Sequence, residues 1–174
     1  FVLGTRPEVI KLAPLVEQLR AHGQPVVLIA SGQHDYLARQ AFEAFGLKPT
    51  VDLQLMKADQ TPVSFLGRML PVLEETLKSL SPRGVIIQGD TTTALGGALA
   101  AFYLRIPVAH VEAGLRTHDF GTPFPEEMNR VLVSRIAGLH FAPTETSARN
   151  LRQEGVQQGI SVVGNTVVDA VLAM

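Results

Sequence analysis

Gly84-Val-Ile-Ile-Gln-Gly-Asp-Thr-Thr-Thr93 is an apolar β-branched run that stops at a glycine and an acid and then leads into a helix. Val85-Ile-Ile87 is continuous rather than alternating, as strands buried on both faces are. Val26-Val-Leu-Ile-Ala30 has the same character. Working outward, strands are predicted at 1–4, 25–31, 84–88, 107–112, 139–142 and 160–163, with a weaker one at 51–55. Between them, Leu12, Leu15, Val16 and Leu19 follow helical spacing, as do Leu66, Met69, Leu70, Leu73, Leu77 and Leu80. Further helices are predicted near 36–45, 92–104, 126–137, 145–154 and 166–174. Thr144 is placed to cap one helix, and Gly46 and Gly155 to end two others. This alternation predicts an α/β fold built on a doubly wound parallel sheet. One local conflict stands: Pro14 falls inside the first helical pattern, so that helix is expected to kink or restart there.

Three acids are expected just past the ends of three buried strands. Asp90 follows the quoted run. Glu112 ends Pro107-Val-Ala-His-Val-Glu112, and Glu126 or its neighbour Glu127 lies in Pro123-Phe-Pro-Glu-Glu-Met-Asn-Arg130. In an open parallel sheet the carboxyl ends of the strands converge on one crevice. Several carboxylates in one crevice are costly, and proton-transfer chemistry is the reason to gather them.

Each acid also has a plainer account. Asp90 could cap the following helix, Glu112 could pair with Arg116, and Glu126 and Glu127 could complement a helix dipole. Asn129 and Arg130 sit on the same turn as those two acids and could bind ligand oxygens. Metal binding is a further reading of Asp90, His110 and Glu112, since magnesium favours carboxylate and phosphate oxygens, although their spacing fits no fixed metal motif. The turn Gly4-Thr-Arg-Pro-Glu8 puts Arg6 and Lys11 at or near a helix N-terminus, a natural place for a phosphate or carboxylate. It is neither a dinucleotide fingerprint nor a Walker-type loop. His22, His34, His118 and His140 carry no spacing signal, and His140, in an apolar strand, reads as structural.

Composition narrows the classes. The 174 residues suit one domain with a real core. A formal net charge of −1 offers no basic field to nucleic acid. There are no cysteines, which excludes a disulfide scaffold and thiolate zinc sites and is compatible with a reducing cytoplasm. No apolar run is long enough to span a membrane, and no secretory pattern opens the chain. Phe1-Val-Leu-Gly4 reads as the tail of a strand and Val167–Met174 as the interior of an apolar segment. The chain is therefore expected to be a piece of a longer protein.

An ordered set of motifs resembles the UDP-N-acetylglucosamine 2-epimerases, the non-hydrolysing bacterial type best. The set is Gly4-Thr-Arg-Pro-Glu-Val-Ile-Lys-Leu-Ala-Pro14, Gln33-His34, Gly89-Asp-Thr91, His110-Val-Glu-Ala-Gly-Leu-Arg116, Pro123–Arg130, Ala142-Pro-Thr-Glu145 and Gly164-Asn-Thr-Val-Val-Asp169. The resemblance implies a glycosyltransferase-B architecture of two Rossmann-like domains, with residues 1–174 as the N-terminal catalytic domain. The C-terminal domain, which supplies most of the nucleotide site and a catalytic histidine, is not in this chain. It implies a cytoplasmic homodimer that interconverts UDP-N-acetylglucosamine and UDP-N-acetylmannosamine without a metal or nicotinamide, within polysaccharide biosynthesis. Asp90, Glu112 and Glu126 are the implied catalytic residues. Arg6, Lys11, Asp90, Glu112, Arg116 and Arg130 are the implied substrate contacts. Gln33-His34 continues as Asp35-Tyr36-Leu37, where relatives often carry a basic and then a polar residue, so regulation by a second substrate molecule is in question. A hydrolysing epimerase would share these residues. A glycosyltransferase of the same architecture would need an acceptor, and a binding module would lose no activity with its acids.

Overall fold

The computed structural model describes residues 1–33 and 35–173; the histidine of the Gln33-His34 motif and Met174 lie outside the described residues. Seven strands alternate with seven helices among them. The strands are β1 (Val2–Leu3), β2 (Ile29–Ala30), β3 (Val51–Asp52), β4 (Val85–Gln88), β5 (Val108–Val111), β6 (Leu139–Ala142) and β7 (Ile160–Val162). The helices are α1 (Arg6–Ala21), α2 (Asp35–Ala44), α3 (Pro62–Leu80), α4 (Thr92–Tyr103), α5 (Glu126–Ile136), α6 (Glu145–Gln153) and α7 (Thr166–Leu172).

All pairings are parallel. One ladder runs β1-β2-β3 and the other β4-β5-β6-β7. β1 also lies beside β4, so the strands follow the order 3-2-1-4-5-6-7. This is the doubly wound, Rossmann-like sheet. The order reverses between β1 and β4, and that is where such sheets bind ligands.

The core forms on both sides of the sheet. On one side Phe65, Met69, Leu73 and Leu77, four apart on α3, pack with Ile87, Val85 and the small residues of α4. On the other, Val9, Leu12 and Val16 of α1 pack with Leu28, Phe42 and Leu47. Helix α4 comes close to the sheet because Gly97 faces it. A Cβ there would stand 3.0 Å from Ile87 Cγ2 and 3.2 Å from Val2 Cβ.

Two sequence expectations need correction. Helix α1 does not restart at Pro14; one element runs from Arg6 to Ala21 across it. Glu126 does not follow a third strand. It opens α5, inside the long connection between β5 and β6, so helix α5 rather than a strand end brings it to the site. The other assignments stand with shorter strands: only Ile29–Ala30 of 25–31 and Val51–Asp52 of 51–55 are paired. Thr144 caps α6 by accepting from Ser147 N. No helix among the described residues is long and apolar enough to cross a membrane.

Candidate active site

The loops after β1, β4 and β5 meet at the reversal point, and α5 leans on them from the side. Asp90 lies in the turn between β4 and α4. It is not the cap of α4, because Thr91 takes that place and accepts from Ala94 N at 2.9 Å. Its carboxylate is therefore available, and it pairs with Arg130 Nη2 at 2.8 Å. Asn129 Nδ2 donates to the Asp90 backbone carbonyl at 2.8 Å. Consecutive residues of α5 thus fix both ends of Asp90. Burial pushes the Asp90 carboxyl above its ordinary range. Arg130 opposes that, while the charges of Glu112 and Glu126 add to it.

Glu112 follows β5 directly, with a left-handed φ of 66° that turns its side chain back toward the β4 turn. A Cβ at Gly89 would lie 3.8 Å from Glu112 Oε2, so the carboxylate rests against the turn carrying Asp90. Arg116, its partner in the plainer account, does not pair with it. Lys11 of α1 donates instead, at 2.8 Å to Oε1 and 2.7 Å to Oε2. Asn165 Nδ2 donates to Oε1 at 2.9 Å, and Gln88 Nε2 donates to Oε2. Arg116 is committed elsewhere. Its Nε and Nη2 each reach a Glu154 oxygen at 2.7 Å, Nη2 also meets Ser134 Oγ at 2.9 Å, and its side chain is 1 % exposed. Nearness in sequence offered the Glu112–Arg116 pair, but Glu112 meets Lys11 and Arg116 meets Glu154.

The two acids of Pro123–Arg130 separate cleanly. Glu127 is fully buried, and its Oε1 accepts from Thr117 N at 3.0 Å and His118 N at 2.9 Å. Burial pushes that carboxyl up, but the two backbone donors and Arg130 outweigh it and hold it below the usual range. Glu127 therefore fastens the 117–118 backbone. Glu126 is half-buried and close enough to Asp90 for its charge to act there.

Lys11 reaches the site across the sheet reversal, while Arg6, in the first turn of α1, is exposed. His110 is fully buried and stands apart from the acids as a ligand. Its Nε2 donates to the Gly89 carbonyl at 2.7 Å, and burial lowers its pKa to about 3, so it is a neutral structural imidazole. Among the described residues no three His, Asp or Glu side chains converge as a metal cluster.

Three polar residues of the site were not singled out from the sequence. Glu8 is 1 % exposed. Its Oε2 accepts from Gly4 N, Thr5 N and Thr5 Oγ1, and its Oε1 accepts from Thr91 Oγ1 at 2.7 Å. It clamps the turn after β1 to the turn after β4, and burial pushes its carboxyl up against those donors. Thr5-Arg-Pro-Glu8 is a capping-box pattern and could have flagged it. Gln88 and Asn165 are the amide donors to Glu112. A glutamine closing an apolar strand was the signal for the first, because a buried amide needs a partner. An asparagine before an apolar run was the signal for the second.

The family model for UDP-N-acetylglucosamine 2-epimerase matches residues 17–174. The UDP-N-acetylglucosamine 2-epimerase of Escherichia coli strain K12 is 46 % identical over 173 residues, covering 98 % of this chain and 46 % of that protein. The UDP-GlcNAc 2-epimerase of Neisseria meningitidis, solved bound to UDP-GlcNAc, superposes with a TM-score of 0.93 at 41 % identity, over 99 % of this chain and 48 % of that one. The Methanocaldococcus jannaschii enzyme, solved with UDP-GlcNAc and UDP, gives 0.93 at 43 % identity, over 98 % and 47 %. The chain spans about half the length of the curated relatives it matches. By profile, sequence and fold alike, the chain belongs to the UDP-N-acetylglucosamine 2-epimerase family.

Proposed function

We propose that this chain is the N-terminal catalytic domain of an enzyme that interconverts UDP-N-acetylglucosamine and UDP-N-acetylmannosamine without releasing free sugar. The observation that carries the reading is the grouping of Asp90, Glu112 and Glu126 at the sheet reversal, with Lys11 and Arg130 as counter-charges.

The proton on C2 of the sugar is weakly acidic, because no carbonyl adjoins it within the ring. Elimination solves the problem. A base takes the C2 proton, the C2–H electrons form the C1–C2 double bond, and the C1–O bond breaks with its electrons leaving on UDP. Re-addition reverses each transfer: UDP oxygen attacks C1, and an acid protonates C2 from the opposite face. The scheme needs an acid and a base on two faces of one carbon. Carboxyls with separated environments supply that. Asp90, pushed up by burial and by its acidic neighbours, is suited to carry a proton in both directions. Lys11 and Arg130 offer positive charge where the leaving diphosphate develops negative charge. Arg6 and Arg116 remain proposed substrate contacts by resemblance. Arg6 is exposed and can reach a ligand without first breaking an ion pair with a described residue, whereas Arg116 would have to leave Glu154.

Product analysis separates this reaction from its hydrolysing counterpart. NMR of UDP-N-acetylglucosamine incubated with the full-length protein is expected to show UDP-N-acetylmannosamine accumulating as an intact nucleotide sugar. Stoichiometric release of UDP and free N-acetylmannosamine would show the hydrolysing course instead.

A further inference from the structure

We propose that Asn165 is a positioning residue that ties the start of α7 to the Glu112 carboxylate. The inference rests on the epimerase reading above and extends it to a residue that touches no substrate in that scheme.

Each Glu112 oxygen takes two donors. Oε1 accepts from Lys11 Nζ and Asn165 Nδ2; Oε2 accepts from Lys11 Nζ and Gln88 Nε2. A carboxylate offers about four lone-pair sites, so the set holds it in one orientation. Three elements share the task. Gln88 belongs to β4, Lys11 to α1 and Asn165 to the entry of α7. The neighbouring Asp90, paired with Arg130, feels the charges of both Glu112 and Glu126.

Asn165 does two things at once. Its Oδ1 accepts from Val167 N at 3.1 Å and so caps α7, while its Nδ2 reaches a carboxylate 53 residues earlier in the chain. Helix α7 packs along α1, which carries Lys11. Two of the three donor residues on Glu112 therefore ride on one helix pair. Capping alone would be served as well by Ser, Thr or Asp. The amide caps through its oxygen and donates to the acid through its nitrogen, so the cap and the donor can be separated by substitution.

Asn165→Ser keeps a capping hydroxyl but is too short to reach Glu112. Asn165→Asp keeps the cap and sets a negative charge against it. In the full-length protein, Asn165→Ser is expected to lower kcat roughly tenfold with KM within about twofold, because a misaimed catalytic group costs rate rather than binding. Asn165→Asp is expected to lose more. The primary isotope effect from deuterium at C2 is expected to rise in Asn165→Ser, as proton transfer becomes more rate-limiting. A double-mutant cycle of Asn165→Ser with Glu112→Gln on thermal unfolding is expected to be non-additive. Wild-type kcat and an unchanged isotope effect in both variants, with an additive cycle, would overturn the proposal. If the parent protein does not epimerise UDP-N-acetylglucosamine at all, the epimerase reading fails. The unfolding cycle needs no substrate and still decides whether Asn165 holds Glu112.

Discussion

Asp90→Asn, Glu112→Gln and Glu126→Gln are each expected to lower turnover of the full-length protein by roughly 10²-fold or more, the usual scale of a positioned acid or base. The three changes act differently on the structure. Asp90→Asn leaves the backbone anchor from Asn129 intact and removes the charge facing Arg130, so the turn keeps its place but loses the proposed proton carrier. Glu112→Gln puts an amide NH2 among donors from Lys11, Gln88 and Asn165. At least one of those contacts must open. Glu126→Gln is the cleanest probe, because no hydrogen bond of its side chain supports the fold among the described residues and only its charge reaches Asp90. Steady-state kinetics with thermal melts of each variant check the set. If Glu126→Gln turns over like the parent, Glu126 is a helix-dipole partner. Glu127 would be a poor substitute for it, since that carboxylate is consumed by the 117–118 backbone.

The isolated 174-residue chain is expected to fold cooperatively, to bind UDP weakly or undetectably, and to give no epimerase turnover. Its core is extensive on both faces of the sheet, so folding does not wait on a second domain. The site is another matter. Asp90 and Glu112 sit at the sheet reversal, and the relatives with bound UDP-GlcNAc are about twice as long as the match. A site built between two domains loses its positioning when one wall is missing, and positioning accounts for about 7–11 kcal/mol of barrier in well-oriented reactions. Calorimetry with UDP and a coupled epimerase assay test this. Robust turnover by the isolated chain would place the whole site within these residues and refute the two-domain proposal.

The sheet was legible because parallel strands buried on both faces are continuous apolar runs, and because α3 repeats its apolar residues at helical spacing. Strand lengths were less legible. Val26-Val-Leu-Ile-Ala30 is apolar throughout, yet the strand proper is only Ile29–Ala30, with Leu28 O still accepting from Thr50 N and Val51 N at its edge. The Pro14 conflict resolved in favour of the helix, whose buried face of Val9, Leu12, Ala13 and Val16 runs through that position. In the site, Asp90 and Glu112 were readable as acids at strand ends. Their partners were not. Lys11 reaches Glu112 across 101 residues of sequence and Asn165 across 53, and no local spacing encodes either contact. Nearness in sequence offered Arg116 as the plainer partner, and Arg116 pairs with Glu154 instead. Glu126 was found by motif, but its route to the site through α5 depends on how Asn129 and Arg130 dock against the β4 turn.

The central claim is that this site removes and returns the proton on C2 of a UDP-sugar. The most direct measurement is incubation of the full-length protein with UDP-N-acetylglucosamine in heavy water, followed by mass spectrometry and NMR of the recovered nucleotide sugars. The account predicts one solvent deuterium at C2 in the epimerised product, with exchange abolished or strongly slowed in Asp90→Asn. Epimerisation without any deuterium at C2 would contradict it.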